Sequence, residues 1–123
     1  MLLGVHHAQI TVPIGAEDEA RQFYCGVLGL VEIPKPESLR GRGGFWLFAG
    51  NLEIHVGVES GAEPLKTKAH LAYAVSGLEI ALDMVRTAGC EIAESVPIPG
   101  MKRFEFRDPF GNRVEMLELD ATS

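Results

Sequence analysis

Four histidines and a few strand-borne carboxylates offer the most chemistry in this 123-residue chain. His7 and His70 each sit in an alternating polar–apolar run, Val5–Val12 and Lys68–Val75, and stand 63 positions apart. Glu53 follows Gly50-Asn51-Leu52, and Glu115 follows Gly111-Asn112-Arg113-Val114; the two glutamates are 62 positions apart. His55 lies two residues beyond Glu53. Imidazole nitrogen and carboxylate oxygen together suit a divalent transition metal. Two histidines and one carboxylate leave coordination positions open for water and substrate, which separates a catalytic site from a closed structural one. A metal held this way polarises a carbonyl or enediolate oxygen, or lowers the pKa of a bound water.

The matched offsets make an internal repeat, over residues 1–60 and 66–120 of a single domain spanning 1–123. A supersecondary unit of roughly 60 residues is used twice. Each unit reads β-α-β-β-β, which makes the chain α+β. The first strand covers about 5–12, and a helix over 17–28 carries the apolar stripe Ala20, Phe23, Tyr24, Val27 and Leu28. Candidate strands follow at 30–33, 45–49 and 51–58, with counterparts at 90–94, 103–107 and 112–119. In the second unit Leu78, Ala81, Leu82 and Val85 form the helix stripe. Ser76-Gly77-Leu78-Glu79 has the spacing of a capping box, and Gly89 is placed as a left-handed stop. Gly41–Gly44 reads as a turn or mobile loop, Ser60–Leu65 as the linker between units, and Pro97–Gly100 as a loop ahead of a strand.

Strand parity decides which way the polar residues face. In the first strand Ala8, Ile10 and Val12 belong against the helix, so His7, Gln9 and Thr11 face the other side of the sheet. The same alternation sends Glu53 and His55 away from Leu52, Ile54 and Val56. It sends His70 away from Leu71, Tyr73 and Val75, and Arg113 and Glu115 away from Val114 and Met116. All candidate ligands therefore occupy the sheet face that the helices leave uncovered. If that face curls into a cup, His7, Glu53 or His55, His70 and Glu115 converge.

Composition narrows the function classes. The chain is 46% hydrophobic and 23% charged, ordinary for a folded soluble domain. Its net charge of −6 lacks the basic footprint of a nucleic-acid or membrane-surface binder. No apolar run approaches the ~18 residues of a membrane span, and the opening segment does not read as a signal peptide. Cys25 and Cys90 form no CxxC motif and read as packing thiols of a reduced, cytoplasmic protein. His6 reads as a satisfied surface or core histidine, and Glu59 and Glu118 as solvated charges. Arg113 shares the face of the candidate ligands and could bind an anion. Arg40-Gly41-Arg42 reads as a solvated loop that could hold an acidic substrate.

Three stretches resemble the vicinal oxygen chelate superfamily, the glyoxalase, bleomycin-resistance protein and extradiol dioxygenase group. They are His7-Ala8-Gln9-Ile10-Thr11-Val12-Pro13, Phe23-Tyr24-Cys25-Gly26-Val27-Leu28-Gly29-Leu30, and Arg107-Asp108-Pro109-Phe110-Gly111-Asn112-Arg113-Val114-Glu115. The resemblance runs from His7 to about Leu119 and is nearest to an uncharacterised small glyoxalase-like subgroup. It implies two βαβββ modules forming an eight-stranded, U-shaped half-barrel with its helices on the convex face, and a homodimer. It implies a divalent metal (nickel, manganese, iron, cobalt or zinc) on His7, His70 and Glu115, with His55 ahead of Glu53 as the fourth participant. His55, Glu53 and Glu115 are the candidates for proton transfer, and Gln9, Trp46, Arg103 and Arg113 for substrate contact. The implied function is lyase or isomerase chemistry on a small substrate chelated through adjacent oxygens. An extradiol-type iron dioxygenase and a non-enzymatic drug-binding protein of the bleomycin-resistance kind are the alternatives.

Overall fold

A computed structural model describes residues 1–121. The alternation of the first strand makes β1, His7–Val12. A short helix, α1 (Glu17–Arg21), continues as a π-helical segment over Gln22–Val27. Then come β2 (Val31–Ile33), a 3₁₀ segment (Glu37–Arg42), β3 (Phe45–Phe48) and β4 (Glu53–Val58). The second unit holds a 3₁₀ turn (Pro64–Lys66), β5 (His70–Ala74), α2 (Leu78–Thr87), β6 (Ile92–Ala93), β7 (Met101–Arg107) and β8 (Arg113–Leu119). One compact unit spans Met1–Ala62 and the second begins at Glu63. Each holds a four-stranded sheet, ordered β1-β4-β3-β2 and β5-β8-β7-β6, with the first strand parallel to the fourth. Two βαβββ modules of identical strand order make an α+β fold.

In the first unit Val12, Phe45, Leu47, Ile54 and Val56 are buried with Ala20, Phe23 and Tyr24 of the helical segment. The expected uninterrupted helix over 17–28 is instead α followed by π. The π segment carries the wider bond from Leu28 N–H to Phe23 O, and Leu30 N–H closes its end on Tyr24 O. Phe23 and Tyr24 meet edge to face at 5.1 Å, both almost fully buried. Arg21 spans the outside, bonding Glu32 and Asp18 and lying 4.6 Å over the Phe45 ring. In the second unit Val85 packs into a core with Phe104, Phe106, Val114 and Met116.

Gly41 and Arg42 belong to the 3₁₀ segment, and only Gly43 and Gly44 make the sharp turn into β3. Gly44 has φ +79° and runs so close to β4 that a Cβ would meet the Val56 carbonyl oxygen at 2.2 Å. Neither the conformation nor the space admits a side chain. Gly44→Ala is expected to destabilise the protein by about 2–3 kcal/mol, strain plus displaced backbone, measured as a lower urea midpoint.

The capping box at Ser76–Glu79 does not form. The helix begins one residue later than that motif needs, so left-handed Gly77 is the N-cap and has no side chain to accept the free N–H groups. Glu118 of β8 takes the role instead, accepting the Gly77 N–H at 2.9 Å and the Leu78 N–H at 3.1 Å. These two bonds hold its carboxyl below the usual range. Glu118 is therefore a cap rather than a solvated charge, whereas Glu59 is exposed as expected and accepts the Thr11 hydroxyl at 2.7 Å. A depressed carboxylate contributes stability that is complete above its unfolded pKa, about 4.3, and fades as pH falls through the folded value. Melting temperatures of Glu118→Gln and the parent should differ at pH 7 and converge in the acid range.

Candidate active site

In the first unit the β1–β4 register sets His7 beside Glu53 and Gln9 beside His55, while β3 sets Trp46 opposite His55. The strand pleat keeps all of these on the face away from α1. They form a column of rings: Trp46 stacks on His55 at 3.9 Å and 5°, and His55 stacks on His7 at 4.0 Å and 13°. His6 stands edge-on to His7, with the two Nδ1 atoms 3.0 Å apart. Sandwiching buries His55 to 6% exposure, although it lies opposite the hydrophobic core. Its Nε2 meets Glu53 Oε1 at 2.9 Å, and that bond holds the Glu53 carboxyl below the usual range. A cleft of about 490 Å³ opens on this face, bordered by His7, Gln9, Trp46 and His55, with Lys35 and Arg42 at its margin.

In the second unit His70 pairs with Arg113 and Ala72 with Glu115 across β5 and β8, and Glu105 of β7 lies opposite Glu115. Arg103 Nη1 donates to Glu115 Oε1 at 2.8 Å and to Glu105 Oε1 at 3.3 Å; its Nε and Nη2 donate to the Val96 carbonyl. Arg113 forms a two-bond fork on Glu105, at 2.8 and 2.9 Å, which holds the Glu105 carboxyl below the usual range. Both arginines are thus engaged by carboxylates, and Arg103 fixes the rotation of Glu115. That leaves Glu115 Oε2 facing His70 Nε2 at 3.3 Å.

The tautomer of His70 follows from its other nitrogen. Nδ1 lies 2.9 Å from the Lys68 carbonyl oxygen, which can only accept, so Nδ1 carries the proton. In the neutral ring Nε2 then presents a lone pair to a carboxylate oxygen. Two acceptors face each other, and only a ring proton or a cation between them reconciles the contact. A backbone carbonyl on the far nitrogen is also the usual support of a metal-bound histidine. Two donors each about 2.1 Å from one ion and at right angles stand about 3 Å apart, so the donor chemistry and spacing of this pair fit a divalent metal. Among the described residues no group of three or more His, Cys, Asp or Glu side chains is gathered to hold an ion.

The turn before β8 has a mainly structural task. Asp108, buried to 4% exposure, accepts the N–H groups of Phe110 and Asn112 on Oδ1 and the Asn112 amide on Oδ2. Gly111, at φ +95°, closes the turn with its N–H on the Asp108 carbonyl. This knot sets the β7–β8 register and so the place of Glu115. Sequence reasoning did not single out Lys35, Glu105 or the capping role of Glu118; Glu118 lies some forty residues from the helix it caps, and the bonds of Lys35 and Glu105 depend on side-chain rotation that no local pattern displays. Cys25 and Cys90 are free and half-buried, and burial pushes both thiols up.

A model of the Glyoxalase/Bleomycin resistance protein/Dioxygenase superfamily matches residues 4–116. The chain belongs to this superfamily. Among solved structures it is similar to a Bacillus anthracis protein assigned to the glyoxalase family, at 42% identity and TM-score 0.89, covering 98% of both chains. The fold is also that of the fosfomycin resistance protein FosX of Listeria monocytogenes, at 16% identity and TM-score 0.77, covering 98% of this chain and 93% of that one. Glyoxylase I 4 of Arabidopsis thaliana is 25% identical over 122 residues, 91% of this chain and 70% of that protein. No helix among the described residues is long and apolar enough to cross a membrane.

Proposed function

We propose that this glyoxalase-superfamily chain is a metal-dependent cytoplasmic enzyme, working as a homodimer, that performs lyase or isomerase chemistry on a small substrate chelated through adjacent oxygens. The observation that carries the metal is the 3.3 Å approach of His70 Nε2 to Glu115 Oε2, a nitrogen and an oxygen donor side by side, with His70 Nδ1 held on the Lys68 carbonyl. His7, His70 and Glu115 are the ligands in this reading. When bound, the metal stabilises negative charge developing on a substrate oxygen. The structure of FosX mentioned above was obtained with manganese(II) and sulfate, which supports a divalent ion in this fold.

The remaining residues take roles that their surroundings suit. His55 lies parallel to His7, and parallel rings 4.0 Å apart do not aim their nitrogens at one point. We therefore assign His55, with Glu53 on its Nε2, to proton transfer rather than to a fourth ligand position. Gln9 and Trp46 border the cleft and contact substrate. Arg103 is a positioning residue that turns Glu115 Oε2 toward His70, and Arg113 acts through Glu105.

Thermal unfolding of the purified protein after EDTA treatment, then with added manganese, nickel or zinc, tests the reading. A rise in melting temperature that grows with ion concentration is expected. No rise with any of these ions, and no ion retained by elemental analysis, would remove the metal and favour the drug-binding alternative. Iron with oxygen uptake would favour the dioxygenase.

A further inference from the structure

The first unit's cleft is electrostatically out of character with its chain. The protein carries 17 acidic and 11 basic residues, yet no carboxylate lines this cleft among the described residues, whereas Lys35 and Arg42 both do. Neither cation has an ion-pair partner among the described residues. Lys35 is half-buried, and its ammonium donates to the Gly43 carbonyl at 2.6 Å, a bond that leaves its charge uncompensated and two donors unused. Two carboxylates bonded to residues near the cleft are committed elsewhere: Glu53 to His55, and Glu17 to the Gly44 N–H at 3.4 Å.

The loop that carries the cations is anchored rather than loose. The Lys35–Gly43 bond closes it, Arg40 Nε reaches back to the Lys35 carbonyl at 3.4 Å, and Gly44 seats its end against the β4 backbone. The anchored loop backbone thereby brings Lys35 and Arg42 beside a concave, ring-lined space of about 490 Å³, a volume suited to a small organic molecule. A pocket lined by two positive charges and no acid selects against cations and draws in anions.

We propose that Lys35 and Arg42 form an oxyanion-binding subsite, so that the substrate carries a carboxylate, phosphate or phosphonate at the end remote from the reacting atoms. The inference rests on the reading of this cleft as the substrate site, but the subsite works without a metal. Its placement lets the anionic end lie on the loop while the body of the molecule lies along the edges of the Trp46–His55–His7 column. Binding energy from the remote end would then position the reacting end.

Trp46 is the sole tryptophan and lies in the cleft, so its fluorescence reports occupancy directly. The probes are benzoate, inorganic phosphate and uncharged benzamide, titrated in EDTA at fixed ionic strength. A saturable change in emission is expected with benzoate or phosphate and none with benzamide. A Lys35→Met/Arg42→Met variant should lose about tenfold or more in affinity for the anions, equivalent to roughly 1.4 kcal/mol. Should that variant fail to fold, Arg42→Gln, at an exposed position with no bond to lose, should still weaken anion binding. Equal anion affinity in parent and variant, an equal response to benzamide, or no response to either anion would each overturn the subsite. Binding that persists in EDTA while added manganese gives no stabilisation would sustain the subsite and reject the metal. Stabilisation by manganese without anion binding would do the reverse.

Discussion

His70→Ala is expected to weaken manganese or zinc binding by more than about 100-fold, since loss of a mere supporting partner already costs 10–100-fold. Isothermal titration of the EDTA-stripped protein would measure it. The fold should survive, because the His70 side chain is 32% exposed and lies away from the core of Phe104, Phe106 and Val114. Glu115→Ala should lose the metal to a similar degree. It would also leave Arg103 with Glu105 as its single carboxylate, so some loss of stability should accompany it. His6→Ala, one residue from His7, should bind metal as the parent does. If His6→Ala abolished binding and His70→Ala did not, the assignment of ligands to the open sheet face would be wrong.

Asp108→Ala should be among the most damaging single changes outside the hydrophobic core. It removes a buried carboxylate that accepts two backbone N–H groups and one side-chain amide. Hydrogen bonds to a charged group contribute about 1.5–3 kcal/mol each and are not additive here, so a total loss of about 3 kcal/mol is expected. For a domain of this size that lowers the melting temperature by roughly 10 °C. Asp108→Asn keeps an acceptor oxygen and should lose less. The turn sets the β7–β8 register, so Asp108→Ala should also weaken metal binding, although Asp108 is itself no ligand in this reading. A variant as stable as the parent would show that the register is held by the strands alone.

The place of each residue along its strand was legible in the sequence because side chains alternate from face to face. His7, Gln9, His55, His70 and Glu115 could be assigned to the face opposite the apolar residues from the local pattern alone. The 63-residue spacing of the histidines announced the duplication, and the two sheets share one strand order. Helix details were less legible. The capping box at Ser76 looked complete, yet the acceptor that caps α2 comes from Glu118, some forty residues later. The periodicity put Phe23 and Tyr24 together on the buried stripe, as the structure has them, but did not show that Gln22–Val27 would wind as a π segment.

The sequence by itself determined the module, its repetition and the sheet face on which the reactive side chains lie, because these follow from short-range alternation and spacing. Only the tertiary structure decided who bonds to whom on that face. It laid His55 flat between Trp46 and His7, turned Glu115 with Arg103, closed Arg113 onto Glu105, and brought Lys35 to the mouth of a cleft formed by distant strands. Those contacts depend on strand register and side-chain rotation, which are set by packing between residues far apart in the chain.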